Sequence, residues 1–342
     1  MSEEKIKLAI IPAASCGGCD VSLANLNEKL LELTKFVDIV FWPTVTDFKI
    51  EDLENLEGID IALFIGSIRL KDHEEKLKLA REKAKILVAY GACACFGGIF
   101  SLGNLFDSEE LLEHVYLSDE LVTTDNMEKE IPGQKYEING LDLNITPLTD
   151  LARPLNDFVK VDIYAPGCPP REIVLDMLVK VISNYIQTRQ TLEIPLVLAK
   201  DTPMCNSCPR IKPEKISIDK FRRIGHEPIQ QDLCFLAQGI ICLGFITRDG
   251  CGLPCIKANM PCRGCFGPTS DIIDPGGKFA SAFAPLFKLD VEKALSDREL
   301  IEVVEKIDDP IGYAYRFTLG MSLLKKIIRE IKEGRKNESD TN

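Results

Sequence analysis

The stretch KIKLAIIPAASCGGCD, residues 5–20, decides the fold. Residues 5–12 are an apolar run of strand length that ends at Pro12, and a pair of cysteines, Cys16 and Cys19, follows directly. Over residues 21–36, leucines at positions 23, 26, 30 and 33 recur with the period of a helix. The opening of the chain therefore predicts a buried strand, a cysteine-bearing turn and a helix.

The same alternation continues to about residue 188. Further strands are predicted at 37–42, 59–68, 85–92 and 159–165, helices at 71–84 and 171–188, and a loop-rich insert at 97–157. Strands this apolar, alternating with helices, indicate a parallel sheet that is covered on both faces. We expect an α/β, doubly wound domain over residues 1–198.

The composition and the periodicity of the sequence change after Leu198. Residues 200–268 hold eight cysteines, many prolines and glycines, and little periodicity. Such a segment is expected to bury too little apolar surface to fold by packing alone, so bound metal should help to hold it. Apolar positions 324, 327, 328 and 331 then predict an amphipathic helix. Residues 199–342 are therefore expected to form an irregular, cysteine-rich domain with C-terminal helices.

Composition limits the classes of function. The 342 residues carry a formal net charge of −12, whereas a nucleic-acid-binding protein needs a basic face, so no nucleic-acid partner is expected. We find no apolar signal region before the first strand, and the longest apolar stretch, near residues 234–246, is too short to span a bilayer. Thirteen cysteines in such a chain indicate metal binding in a reducing compartment. The expected location is the cytoplasm, without a membrane span.

Four cysteines directly follow predicted strands. Cys16 and Cys19 follow the first strand, Cys93 follows the strand at 85–92, and Cys168 follows the strand at 159–165. Because ligand sites in parallel sheets lie at the carboxyl ends of the strands, we expect these four thiols to converge on one edge. A cubane iron–sulfur cluster needs four thiolates, and glycines beside them let backbone amides approach the cluster sulfurs.

The motifs that hold these cysteines are SCGGCD (15–20), GACACFGG (91–98) and PGCPP (166–170). They resemble the motifs around the proximal cluster of nickel–iron hydrogenase small subunits, which also occur in the related quinone-reducing subunit of respiratory complex I. The resemblance implies a flavodoxin-like sheet and assigns Cys16, Cys19, Cys93 and Cys168 to one 4Fe–4S cluster. Family motifs place the ligand at Cys93, so Cys95 is expected to be a packed free thiol.

The second half of the sequence distinguishes hydrogenase small subunits from the complex I subunit, because the complex I relative has no cysteine-rich extension. Resemblance to hydrogenase small subunits divides the last eight cysteines into two sets. Cys205, Cys208, Cys234 and Cys242 are assigned to a distal 4Fe–4S cluster, and Cys251, Cys255, Cys262 and Cys265 to a medial 4Fe–4S cluster. Cys205 stands where the family usually has a histidine. Three 4Fe–4S clusters are thus implied, with zinc as the alternative for the last eight cysteines, since Cys-x-x-Cys pairs are also a zinc pattern.

The resemblance implies electron conduction for reversible hydrogen oxidation. The nickel–iron centre would lie on a separate large subunit, and this chain would contribute no catalytic residue. The motif MPCRGCFGP (260–268) looks most like the gamma subunit of the methyl-viologen-reducing hydrogenase, which works with an electron-accepting iron–sulfur subunit and heterodisulfide reductase. Two alternatives remain open. One is the small subunit of a nicotinamide- or deazaflavin-reducing cytoplasmic hydrogenase, and the other is a non-catalytic zinc and iron–sulfur scaffold.

Overall fold

The computed structural model describes residues 5–118, 130–133, 135–188, 194–218, 221–286, 307, 309–325, 327–328 and 330–331. Its strands are β1 (Ile6–Pro12), β2 (Val37–Phe41), β3 (Ile59–Ile65), β4 (Ile68–Leu70), β5 (Ala84–Tyr90), β6 (Lys135–Ile138), β7 (Leu141–Asn144), β8 (Leu148–Arg153), β9 (Ile163–Ala165), β10 (Leu196–Val197), β11 (Lys200–Pro203) and β12 (Arg248–Asp249). Its α-helices are α1 (Gly18–Ala24), α2 (Glu28–Leu33), α3 (Ile50–Asn55), α4 (Lys71–Lys83), α5 (Ala92–Phe96), α6 (Ser108–Leu117), α7 (Glu172–Thr188), α8 (Pro254–Lys257), α9 (Pro275–Phe283) and α10 (Pro310–Ala314).

Six strands form one sheet in the order β10-β9-β5-β3-β1-β2, and every neighbouring pair is parallel. If the six strands of this sheet are renumbered 1 to 6 in chain order, they lie in the order 2-1-3-4-5-6 across the sheet, starting from β2. This is the flavodoxin-like arrangement extended by one strand. The predicted doubly wound parallel sheet is confirmed.

Side chains of alternate residues pack on opposite faces of the sheet, as the pleat of a strand requires. In β1, Ala9 and Ile11 belong to one core and Ile10 to the other. The first core includes Phe64, Leu53 of α3 and Leu77 of α4, and the second includes Leu63, Val88, and Val174 and Leu178 of α7. Both faces are therefore buried, which is why these strands read as continuous apolar runs.

The structure differs from the sequence prediction in several places. The helix predicted over 21–36 is two short helices, α1 and α2, because the chain turns between them and Asn27, directly before α2, has a non-helical φ of 49°. The sheet gains β10, whose two residues are too few to give a periodic signal. The insert holds α6, the antiparallel hairpin β6–β7, and β8, which pairs with β4.

The cysteine-rich region has an apolar core of its own. Strands β11 and β12 pair antiparallel, and buried residues such as Phe235, Leu243 and Phe279 pack together. This is more packing than the composition predicts, although Cys242 and Cys262 are themselves part of that core. The region also packs on the sheet, with Phe317 in the first core and Phe266 in the second.

The predicted C-terminal helix is present at residues 324–325, 327–328 and 330–331. Only part of its apolar stripe is covered: Ile328 is buried and Leu324 packs beside it, whereas Ile327 and Ile331 are 53% and 51% exposed. In the described portion of the chain, none of the helices combines the length and the apolarity that crossing a membrane requires.

Asp162 fastens α4 to the sheet. Its buried carboxylate accepts hydrogen bonds from Arg81 Nη1 at 2.6 Å and from the Leu87 backbone N–H at 2.8 Å. Asp162→Ala leaves both donors without this acceptor, so we expect the free energy of unfolding to fall by about 1–3 kcal/mol. Glu74→Ala removes the more exposed pair with Lys78 and should cost under about 0.5 kcal/mol. Equal losses in denaturant titrations of the two variants would contradict this account.

Candidate metal centres

The four cysteines predicted for the first site lie at the carboxyl ends of three strands. Cys16 follows β1, Cys19 is in α1, Cys93 is in α5 just after β5, and Cys168 follows β9. Burial, and then the neighbouring thiols of Cys93, Cys168 and Cys16, raise the pKa of Cys19 well above its usual value. Burial and the nearby Cys168 raise the pKa of Cys93 to about 12. The structure thus brings these four thiols together, as their positions after strands predict.

Two glycines keep the space beside these thiols clear. Gly91 and Gly98 have φ values of 94° and 63°, in the region that strongly favours glycine. A Cβ added to Gly91 would lie 2.5 Å from Cys19 Sγ, and one added to Gly98 would lie 2.6 Å from Cys93 Cα. A side chain at Gly91 would displace the Cys19 thiol, and one at Gly98 would displace the backbone that holds Cys93, so both glycines are part of the site.

Asp20 and Trp42 form a buried pair beside the first site. Trp42 Nε1 donates to Asp20 Oδ1 at 2.9 Å, and Thr44 Oγ1 donates to the same oxygen at 2.6 Å. This contact could not be predicted from the sequence, because the partners are 22 and 24 residues apart and nothing in their spacing marks them. The network fixes the start of α1, which holds Cys19, against the end of β2.

Cys95 has a separate role from its neighbour Cys93. It is only 3% exposed, and its Sγ donates to the Ala89 carbonyl oxygen at 3.2 Å. Burial raises the pKa of the Cys95 thiol well above its usual value. These observations fit the packed free thiol that the family motif predicts.

The second set, Cys205, Cys208, Cys234 and Cys242, also comes together, although 37 positions separate its first and last members. Burial, and then Cys242, Cys234 and Cys208, raise the pKa of Cys205 to about 12. Burial likewise raises the pKa of Cys242 to about 11. Gly244 lies between two of these thiols, since a Cβ there would be 3.3 Å from Cys205 Sγ and 3.7 Å from Cys242 Sγ.

The third set, Cys251, Cys255, Cys262 and Cys265, contacts both of the others. Burial raises the pKa of Cys265 to about 12, and the thiols that add to this effect are Cys255, Cys168 of the first set, and Cys251. At the other side, the Cys262 backbone N–H donates to Cys242 Sγ of the second set at 3.3 Å. The third set therefore lies between the first and the second in space, although it comes last in sequence.

These sites suit a metal group bound through sulfur. All thirteen cysteines are free thiols; the first and second sets each gather around one thiol, Cys19 and Cys205, and Cys265 of the third set interacts with Cys255 and Cys251 as well as with Cys168. Among the residues that the structure describes, no three His, Cys, Asp or Glu side chains gather around one point closely enough to hold a single metal ion. The fit therefore depends on the soft sulfur donors, their grouping, and the glycine-lined space beside them. Because a metal binds the thiolate form of cysteine, binding such a group releases protons from any thiol that is protonated beforehand.

The fold and these sites define a class of protein, a flavodoxin-like α/β protein with three clusters of cysteine thiols. The family model described as NADH ubiquinone oxidoreductase, 20 Kd subunit, matches residues 16–181, which contain the first set. A subunit of the F420-non-reducing hydrogenase of Methanothermobacter marburgensis is 35% identical over 336 residues, 97% of this chain and 99% of that protein. The iron-sulfur subunit of the F420-non-reducing hydrogenase of Archaeoglobus profundus is 32% identical, over 94% of this chain and 98% of that protein.

Among solved structures, a chain of an NAD+-reducing [NiFe]-hydrogenase in the H2-reduced state is 32% identical, with a TM-score of 0.43, over 53% of this chain and 93% of that chain. The identity and coverage of the two F420-non-reducing hydrogenase relatives establish the family. The chain belongs to the F420-non-reducing hydrogenase family of nickel–iron hydrogenase small subunits, and it is part of an oxidoreductase complex.

Proposed function

We propose that this chain relays electrons between the nickel–iron centre of a large hydrogenase subunit and an electron acceptor, through three 4Fe–4S clusters. The observation that supports this most strongly is the position of the third thiol set between the first and the second, through Cys265 near Cys168 and Cys262 near Cys242. A row of one-electron carriers in this arrangement would conduct charge from one side of the subunit to the other.

The ligand assignment follows the three sets. Cys16, Cys19, Cys93 and Cys168 would hold the proximal cluster, Cys251, Cys255, Cys262 and Cys265 the medial cluster, and Cys205, Cys208, Cys234 and Cys242 the distal cluster. The name of the A. profundus relative, an iron-sulfur subunit, supports iron over zinc. We also propose that the chain divides near residue 198, where the parallel sheet ends and the separate core of the cysteine-rich region begins.

The proposed acceptor is an iron–sulfur partner subunit that passes electrons to heterodisulfide reductase, in a cytoplasmic complex of the methyl-viologen-reducing type. Thirteen free thiols without a disulfide support a reducing compartment. The names of the relatives, F420-non-reducing hydrogenases, argue against the deazaflavin-reducing alternative. A nicotinamide-reducing complex is the remaining alternative within the family.

The partners can be identified by purifying a tagged form of this chain anaerobically from cells that express it natively, and analysing the captured proteins by mass spectrometry. We expect a large subunit with two Cys-x-x-Cys pairs, an iron–sulfur subunit and components of heterodisulfide reductase, in constant ratio through gel filtration. A diaphorase in constant ratio with this chain, without heterodisulfide reductase, would contradict the proposed acceptor and favour the nicotinamide-reducing alternative.

A further inference from the structure

Arg210, two residues after Cys208, is a buried cation within the cysteine-rich region. The residue is only 6% exposed. Its Nη1 donates to the Gln230 carbonyl oxygen at 2.9 Å and to the Leu233 carbonyl oxygen at 2.7 Å, and its Nη2 donates to Asn259 Oδ1. The guanidinium also lies 3.8 Å above the centre of the Phe235 ring. The side chain is thus held by neutral groups on every side.

Nothing among the described residues neutralises this charge. Every acceptor of its hydrogen bonds is a carbonyl or amide oxygen, and Nε is buried without a hydrogen-bond partner. Burying an ionised group without a counter-charge is strongly unfavourable, so buried cations are normally paired. Arginine cannot escape this cost by losing its proton. A source of negative charge should therefore lie nearby when the protein is in its working state.

The contacts of Arg210 lie on the loops that hold the second and third thiol sets. Leu233 precedes Cys234, and Asn259 lies between Cys255 and Cys262. The arginine therefore joins a loop of the second set to a loop of the third. A 4Fe–4S cluster with four thiolates is a dianion when oxidised and gains a further negative charge on reduction. Such a group in either set would supply the missing counter-charge.

We propose that Arg210 is a positioning residue that fixes the second and third cysteine loops together, and that its charge raises the reduction potential of the clusters they hold. This inference depends on the proposed function, because it needs iron–sulfur clusters at those two sites. A fixed cation in a water-poor interior favours the more negative, reduced state of a nearby cluster. The potential should therefore fall when that charge is removed or neutralised.

The test is a redox titration of the intact, anaerobically purified complex, followed by electron paramagnetic resonance of the reduced clusters. Two variants change the charge differently. Arg210→Gln removes it, whereas Asn259→Asp keeps the arginine and places a carboxylate of nearly the same shape against it. We expect both variants to shift the potential of at least one C-terminal cluster to more negative values, and Arg210→Lys to restore most of the potential. Iron and sulfide per chain should stay at the wild-type level in Asn259→Asp.

Lys212→Gln is the matched control. Lys212 also carries a positive charge beside this site, since its Nζ donates to the Cys205 carbonyl oxygen, but it is solvent-exposed and therefore screened. The control should shift the potential less than either test variant. The inference would be overturned if Asn259→Asp kept its full iron content and its potentials did not change. It would also be overturned if the shifts in the test variants were no larger than that in Lys212→Gln. Either result would leave the proposed relay intact. Zinc in place of iron at these sites would overturn the relay and this inference together.

Discussion

Replacing Cys205 by alanine is expected to stop the reduction of an external acceptor while hydrogen–deuterium exchange at the nickel site continues. Cys205 belongs to the second thiol set, which contacts the third set but shows no interaction with the first among the described residues. If this set holds the distal cluster, losing that cluster prevents electrons from passing beyond the medial cluster. Acceptor reduction should fall by at least about 10–100-fold, since even the loss of a group that only supports a metal ligand typically costs that much.

The control for this experiment is Cys95→Ala, which removes a buried thiol that is not assigned as a ligand. It should leave both activities and the iron content near wild-type values. The two activities are measured on the same anaerobic complex, with intact assembly checked by gel filtration. If Cys205→Ala abolishes hydrogen–deuterium exchange as well as acceptor reduction in a folded complex, the second set is not the distal end of the relay.

Replacing Gly98 by alanine is expected to destroy the first metal site. A Cβ at this position would lie 2.6 Å from Cys93 Cα and 2.9 Å from Cys93 Cβ, closer than real side chains approach, and the φ of 63° adds backbone strain. The loop holding Cys93 must then move. We expect about four iron and four sulfide fewer per chain, because one cubane cluster is lost. The strain should also cost about 1–3 kcal/mol of unfolding free energy.

Gly103→Ala tests whether the loss of iron expected in Gly98→Ala is specific to the glycine beside Cys93. Gly103 lies in the same segment, but a Cβ there would meet only Leu111 Cδ1, at an ordinary 3.6 Å. This variant should keep its full iron content and its acceptor reduction. A Gly98→Ala protein with wild-type iron, sulfide and electron paramagnetic resonance spectra would show that the glycine is not needed to shape the first site.

Much of the fold could be predicted from the sequence, because buried parallel strands are apolar on both faces. Strands β1, β2 and β3 begin within one residue of their predicted starts. The split between α1 and α2 could not be predicted, since the leucine period continues across the break at Asn27. Strand β9 is shorter than predicted, because the apolar run at 159–165 enters the sheet only at Ile163.

The candidate site was predictable where its residues follow strands. The sheet topology brings together the loops after β1, β5 and β9, so the grouping of the first four cysteines follows from the order of the strands. The second and third sets lie in a region without a parallel sheet to position them. Sequence spacing alone therefore left open how the last eight cysteines divide between the two sets. The contacts of Arg210 with Asn259 and of Asp20 with Trp42 join residues far apart in sequence, so they required the structure.

The measurement that tests the central claim most directly is the content of iron, acid-labile sulfide and zinc per chain, in protein purified without oxygen. The proposed relay predicts about twelve iron and about twelve sulfide per chain, with no zinc, because three cubane clusters would be present. About four iron with stoichiometric zinc would contradict it. That result would leave one cluster at the first site and give the last eight cysteines a structural role.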